Sequence, residues 1–179
     1  MDINADHLSL TKADRFGNPI DFWTISCCTY GKSSDQSRAI VSEAMKSLLA
    51  IASARRKPIV IEKLDFRKKK AALERQDRRY ARMLSSFAYR LIHMVIAARA
   101  FDAGIELLQE TPSYTSVIGR EKFAGRYGIS GHHAAALVIG RRGNGFSERL
   151  PSQLQVTFPL PVRNRGKHAC VEQVGDCLL

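Results

Sequence analysis

The chain opens with alternating polar and apolar side chains, a period that places one face of a β-strand on a core. The stretch MDINADHLSL carries this alternation, and a second extended run, FWTISCCTY, follows it. Between them FGNPID supplies Gly17, Asn18 and Pro19, residue types that favour a tight turn. The pattern predicts a β-hairpin at the start of a sheet.

A helical period replaces the alternation over about residues 35–55. Apolar side chains recur there at helical spacing and predict one buried face, formed by Ile40, Val41, Ala44, Met45, Leu48, Leu49 and Ala52. Ser34 is the predicted N-cap, Asp35 lies in the first turn, and Pro58 prevents continuation. The run IVIE, residues 59–62, then predicts a strand that is covered on both faces and ends at Glu62.

A second long helix is predicted over about residues 70–103, with Gly104 as its stop. Its apolar side is predicted to consist of Leu84, Phe87, Leu91, Val95 and Ala98. IELLQE then predicts a strand, SYTSVIGREKFAGRYGISG a loop, and HHAAALVIGRRG a helix. Alternation of strands and helices indicates one α/β domain over residues 1–150, with a basic helical insertion at about 66–103 and an irregular tail at 151–179.

Charge adds a preference for polyanions. The chain of 179 residues has a formal net charge of +11, and residues 55–90 hold thirteen Lys or Arg against four Asp or Glu. Such clustering favours nucleic-acid binding, although a solvated helix face is the simpler alternative. No stretch approaches the roughly 20 apolar residues of a membrane span, so a cytoplasmic protein without a membrane partner is expected. The four cysteines lack the spacing of a zinc site, so no zinc is expected.

Three separated residues have the chemistry of metal ligands. Asp2 lies on the first predicted strand, Glu62 ends a buried one, and His132 opens the alanine-rich helix. Hard ligands on strand ends and helix starts can hold a divalent ion for phosphodiester cleavage. Each also has a simpler interpretation: a terminal polar residue, a strand end paired with Lys63 or Arg67, and a solvent-facing helix start.

Several segments together resemble one protein family. DINADHLSLTKADRFGNPI is similar to the first RuvC motif of the TnpB-type (OrfB-like) proteins of bacterial insertion sequences, and IVIEKLDFRKKK is similar to the second. LSSFAYRLIHMVIAARAFDAGIELLQETPSYTSVIG resembles the segment between motifs two and three, and GHHAAALVIGRRGNGFSERLP resembles the third. The resemblance covers nearly the whole chain. It implies an RNase H-like (RuvC-like) mixed sheet flanked by helices, in a transposon-associated, RNA-guided DNA endonuclease.

The resemblance also implies a site and partners. Asp2, Glu62 and His132 would be the catalytic and metal-binding residues of a two-metal Mg²⁺ or Mn²⁺ centre. Histidine stands where common members have a third carboxylate, which favours Mn²⁺ over Mg²⁺. DNA, with guide RNA as a further candidate partner, would be gripped by a set of basic residues: Arg67, Lys68, Lys69, Lys70, Arg78, Arg79, Arg82, Arg141 and Arg142.

Two further departures from the family affect the expected function. The cysteine pairs of the family's zinc ribbon are absent from TSVIGREKFAGRYGISG, and the sequence begins at the first motif. A separate N-terminal polypeptide is therefore a candidate partner. The alternative function is a catalytically inactive nucleic-acid-binding fragment or accessory subunit of the same family.

Overall fold

The computed structural model describes residues 1–63 and 86–149. Its strands are β1 (Asp2–Ile3), β2 (His7–Ala13), β3 (Pro19–Ser26), β4 (Ile59–Glu62) and β5 (Leu107–Glu110). Its helices are α1 (Ser34–Arg55), α2 (Ser86–Asp102), α3 (Thr115–Gly119), a π-helical turn (Arg120–Ala124), α4 (Gly125–Tyr127) and α5 (Gly131–Gly143). The protein is thus a mixed α/β structure. None of the described helices is long and apolar enough to cross a membrane.

The described strands form two sheets. One is antiparallel with the order β1-β2-β3, and its register places Asp2 opposite Ser9. The other is a parallel pair in which Glu62 at the end of β4 lies opposite Glu110 at the end of β5. A hydrogen bond joins the sheets, because the Met1 nitrogen donates to the Val60 carbonyl oxygen at 2.7 Å.

The predicted hairpin is confirmed as β2 and β3. Its turn is held by the Asp14 carboxylate, which accepts hydrogen bonds from the backbone nitrogens of Phe16 (2.9 Å) and Asn18 (2.8 Å). Gly17 has φ of +77°, a conformation that glycine adopts without strain. The opening stretch is not one strand, however. The chain reverses after Ile3, so residues 1–10 contribute both β1 and the start of β2.

Helix α1 and strand β4 lie where the sequence predicts them, and the predicted apolar face of α1 is buried or half-buried. The N-cap prediction of Ser34 is wrong by one residue. Ser33 caps the helix in a reciprocal capping box, in which its hydroxyl accepts from the Gln36 nitrogen and its own nitrogen donates to the Gln36 side chain. Both serines are plausible caps in sequence, and the Gln36 partner decides between them.

Helix α2 confirms the part of the second long helix that the structure describes. Its buried positions are Ala88, Tyr89, Ile92, Ile96 and Ala100, and Tyr89, Ile92 and Ile96 belong to the apolar cluster that α1, β1 and β4 also line. The predicted face is rotated from this one, because Leu91 and Val95 are only half-buried and Ala98 is exposed. Apolar residues occur on most sides of α2, so the sequence period alone does not identify the inward side. Leu84 and the Phe87 side chain lie outside the described residues.

The predicted loop over residues 113–131 is wrong. Most of that segment is helical, through α3, the π-helical turn and α4, and it packs against α5 in a second apolar cluster that includes Tyr114, Ile118 and Phe123. Its glycines suggested a loop, but Gly119 instead lets α3 approach the backbone of α5 at Ala134. The predicted tail, residues 151–179, lies outside the described residues.

Candidate functional site

Asp2 occupies a defined position at the centre of the fold. It lies on β1 next to β2, and its side chain is only 12% exposed. The Asn4 side-chain nitrogen donates to Asp2 Oδ2 at 3.1 Å. The buried Tyr89 hydroxyl donates to the Ile3 carbonyl oxygen at 2.7 Å, which fastens β1 to α2. A short strand is thereby held from two sides, so the Asp2 carboxylate has a fixed location.

His132 meets Asp2 at the start of α5. His132 Nδ1 lies 3.6 Å from Asp2 Oδ2, and its side chain is 57% exposed. The helix begins here because the Ser130 hydroxyl accepts a hydrogen bond from the His133 nitrogen (3.2 Å). The structure therefore brings together two of the three predicted site residues from opposite ends of the described sequence.

The neighbouring histidine has a different environment. His133 Nε2 lies 3.2 Å from the Trp23 carbonyl oxygen and 3.2 Å from the Thr24 hydroxyl, and Nδ1 lies 3.0 Å from the Ser130 hydroxyl. The contacts with Trp23 and Thr24 fasten α5 to β3. Of the two consecutive histidines, His132 faces the carboxylate and His133 anchors the helix.

Glu62 ends β4 as predicted, and it is buried with 5% exposure. The pKa of the Met1 amino group shows which charges act on it. Burial lowers the pKa of that amino group to about 6, while the Asp2 and Glu62 carboxylates act in the opposite direction. Both carboxylates thus contribute negative potential at the same point between β1 and β4.

Three residues near this site were not predicted from the sequence. Glu110 lies in register with Glu62 on β5. Like Glu62, it is a carboxylate at the end of a strand, and this pattern in the sequence could have identified it as a candidate. His7 contacts His132 edge-to-face with ring centroids 5.1 Å apart, and His7 Nδ1 lies 2.6 Å from Asp6 Oδ1. That hydrogen bond is the main reason that the pKa of Asp6 is lowered.

The fit of these residues to a divalent ion is partial. Two carboxylates and an imidazole are suitable donors for Mn²⁺, and for Mg²⁺ less so. The Asp2 and His132 donor atoms are close enough to contact one ion. Within residues 1–63 and 86–149, however, no group of three or more His, Cys, Asp or Glu side chains is placed to hold a metal ion.

The predicted nucleic-acid contacts divide into two groups. Seven of the nine basic residues lie outside the described part of the chain: Arg67, Lys68, Lys69, Lys70, Arg78, Arg79 and Arg82. Arg141 and Arg142 are described, and each has protein partners. Arg141 Nε donates to the buried Glu148 carboxylate at 2.5 Å and its Nη1 donates to the Gly17 carbonyl oxygen at 2.6 Å.

Arg142 is held in a similar way. Its Nη1 donates to the Thr111 carbonyl oxygen at 2.5 Å. Burial lowers the pKa of its guanidinium, while Glu110 and Glu148 act in the opposite direction. Both arginines therefore fasten the end of α5 to neighbouring segments, and their contact with a phosphate backbone stays a prediction.

Similarity to known proteins adds no family assignment. Comparison with protein-family models, with curated proteins and with solved structures gives no match for this chain.

Proposed function

We propose that this chain is a RuvC-like nuclease domain that hydrolyses a DNA phosphodiester with a divalent ion, in an RNA-guided endonuclease of the TnpB type. The observation that carries the proposal is the meeting of Asp2 and His132 at 3.6 Å beside the strand that ends in Glu62. These residues come from three distant parts of the sequence, and each has a donor suited to a metal ion.

The arrangement of the strands supports an RNase H-like fold. One sheet has the strand order β3-β2-β1 and the other has β4-β5. Because the hydrogen bond from Met1 to Val60 joins β1 to β4, the combined strand order is 3-2-1-4-5. The first three strands are antiparallel and the last two are parallel. Leu8 and Leu10 of β2 belong to the cluster that α1 and α2 also line, whereas the Thr11 hydroxyl donates to the His133 carbonyl oxygen of α5 at 2.8 Å. Since alternate residues of a strand face opposite sides, helices cover both faces.

The roles of the side chains follow from their positions. Asp2, Glu62 and His132 would hold the ion, which when bound activates water and neutralises charge on the phosphate. Asn4 fixes the Asp2 carboxylate through its hydrogen bond. His132 is exposed, so its imidazole can meet both a substrate and a proton from solvent. The basic residues 67–70 would grip the DNA backbone or a guide–target duplex.

The experiment is cleavage of end-labelled single-stranded DNA by the purified chain in Mg²⁺ and in Mn²⁺. Glu62→Gln and Asp2→Asn should lose cleavage by at least about a hundredfold, because each removes a ligand charge but little volume. Glu121→Gln, at an exposed position on the π-helical turn, is the matched control and should cut as the wild type does. Calorimetry with Mn²⁺ alone should show weaker binding in the two site variants only. Cleavage by Glu62→Gln at the wild-type rate would refute the proposal.

A second candidate function is binding of nucleic acid without cleavage. The observation in its favour is that the described residues form no group of three metal-ligating side chains. Salt-sensitive DNA binding with no cutting in either metal would support this function, and binding should then weaken as salt rises. Absence of both cutting and binding would refute both candidates.

A further inference from the structure

His7 lies at the candidate site, although the sequence did not identify it. It is the first residue of β2, and Ser9, two residues later, lies opposite Asp2 in the register of β1 and β2. Because alternate residues of a strand project to the same face, His7, Ser9 and Asp2 share one face of the sheet. Thr11 continues that alternation, and its hydroxyl donates to a backbone carbonyl oxygen of α5 at 2.8 Å. His7 therefore faces α5, the helix that carries His132.

The imidazole of His132 is not fixed by Asp2 alone. Its Nδ1 lies 3.6 Å from Asp2 Oδ2, which is longer than a hydrogen bond, and its side chain is 57% exposed. A contact of that length leaves the ring free to turn about its two side-chain bonds. In the part of the chain that the structure describes, the aromatic ring that contacts His132 is that of His7.

The ring of His7 restricts how His132 can turn. The two ring centroids lie 5.1 Å apart, and the ring planes meet at 83°. This is the edge-to-face arrangement that aromatic rings prefer, at a separation within its usual range of about 4.5–7 Å. Rotation of His132 about its Cα–Cβ bond would break this contact. The His7 ring therefore favours the rotamer that keeps His132 Nδ1 near Asp2.

His7 is itself held in place by Asp6. His7 Nδ1 lies 2.6 Å from Asp6 Oδ1, a hydrogen-bond distance, and the His7 side chain is only 23% exposed. The backbone of Asp6 is tied to the residue that follows β3, because its carbonyl oxygen accepts from the Cys27 nitrogen at 2.8 Å. A partner on one ring nitrogen fixes the way that an imidazole faces. Support thus runs from the backbone through Asp6 and His7 to His132.

We propose that His7 is a positioning residue of the candidate site. Its ring holds the imidazole of His132 toward Asp2, and Asp6 holds the ring of His7. Groups that orient a ligand histidine commonly change metal affinity by about 10–100-fold, because catalytic and metal-binding geometry tolerates an error of only about 0.5 Å. This inference rests on the proposed function, since the orientation of His132 affects catalysis only if the site is active. The orientation itself is a property of the metal-free protein, so the two can fail separately.

The first test needs neither metal nor DNA. The χ1 rotamer of His132 is measured from three-bond NMR couplings in the isotope-labelled full chain, with His132→Gln used to assign its signals among the five histidines. We expect one dominant rotamer in the wild type and averaging over rotamers in His7→Ala. Asp6→Ala should give partial averaging, and it decides the question if His7→Ala does not fold. Averaging already in the wild type, or a single His132 rotamer in both variants, would overturn the proposal.

Further variants separate the ring of His7 from its nitrogens. His7→Phe keeps an aromatic ring at this position but has no ring nitrogen, so it should keep the single His132 rotamer. Asp6→Asn keeps a side-chain oxygen that can accept from His7, so it should behave as the wild type does. Ser26→Ala is the matched control, because Ser26 is exposed and lies opposite His7 on β3. If His132 averages in His7→Phe as it does in His7→Ala, the proposal is wrong.

Mn²⁺ binding and cleavage then show whether this orientation matters at the site. In calorimetry with Mn²⁺ alone, His7→Ala should bind about tenfold more weakly, whereas His7→Phe and Ser26→Ala should bind as the wild type does. In cleavage, His7→Ala should lower kcat about tenfold and leave KM nearly unchanged, because it displaces a group at the reacting centre without removing a DNA contact. Equal loss of Mn²⁺ affinity in His7→Phe and His7→Ala would show that a His7 nitrogen contacts the ion, which would overturn the proposal. If the wild type neither binds Mn²⁺ nor cuts DNA, the proposed function fails, and the His132 rotamer alone decides this inference.

Discussion

Replacing Gly119 with alanine should destabilise the protein through one backbone contact. A Cβ at this position would lie 2.6 Å from the Ala134 carbonyl carbon, 2.7 Å from the Ala135 nitrogen and 2.8 Å from the Ala134 oxygen. Carbon atoms in van der Waals contact need about 3.5 Å, so α3 and α5 would have to separate by nearly 1 Å. All three atoms belong to the backbone, so no side-chain rotation can relieve the clash.

The magnitude follows from two opposing effects. Overpacking of this kind costs about 3 kcal/mol at the upper end of its usual range, and the helical preference of alanine over glycine returns about 1 kcal/mol. The net loss in the free energy of unfolding is therefore about 2 kcal/mol, which lowers Tm by about 4–8 °C in a chain of this size.

The assay is thermal and urea-induced unfolding followed by circular dichroism. Gly125→Ala is the matched control. Gly125 lies in the same helical segment with φ of −66°, and no atom beyond its own helical turn lies within 4 Å of the position that a methyl group would take there. This control should raise the free energy of unfolding by about 0.5–1 kcal/mol. A Gly119→Ala variant as stable as the wild type would refute the argument that close helix approach requires this glycine.

Three further predictions concern the capping of α1, a half-buried histidine and a buried thiol. Ser33→Ala should lower the free energy of unfolding by about 1 kcal/mol and Ser34→Ala by much less, because Ser33 forms the capping box with Gln36; equal losses in urea unfolding would contradict this. Burial lowers the pKa of His93 below 6.5, so on acidification the unfolded chain binds a proton before the folded chain does, and the free energy of unfolding should fall as the pH drops below 6.5. If the free energy of unfolding of His93→Gln falls with pH as steeply as that of the wild type, another group is responsible. Burial, with a smaller contribution from the adjacent Cys28, raises the pKa of the Cys27 thiol to about 11. In a variant whose other cysteines are serine, labelling at pH 8 should be about a hundredfold slower than for a free thiol until the chain is unfolded.

Much of the local structure could be predicted from the sequence, because it depends on neighbours a few residues apart. The period of α1, its stop at Pro58 and the apolar run of β4 each depend on such spacing, and all three lie where expected. The sequence also marked Asp2, Glu62 and His132 as candidates, mainly through the resemblance of their surrounding motifs. It did not mark Glu110, although that residue ends a strand as Glu62 does.

The remaining features were decided by contacts between distant segments. The inward side of α2 depends on where α1 and β1 lie, and the helices at residues 115–127 form where Gly119 can meet α5. The contacts of Arg141 with Glu148 and Gly17 join segments far apart in the sequence, and its contact with a phosphate backbone stays a prediction. The pairing of Asp2 with His132 likewise exists only after folding. The spacing of apolar residues shows which side of a helix or strand is apolar. Which other element packs against that side depends on contacts across the whole chain.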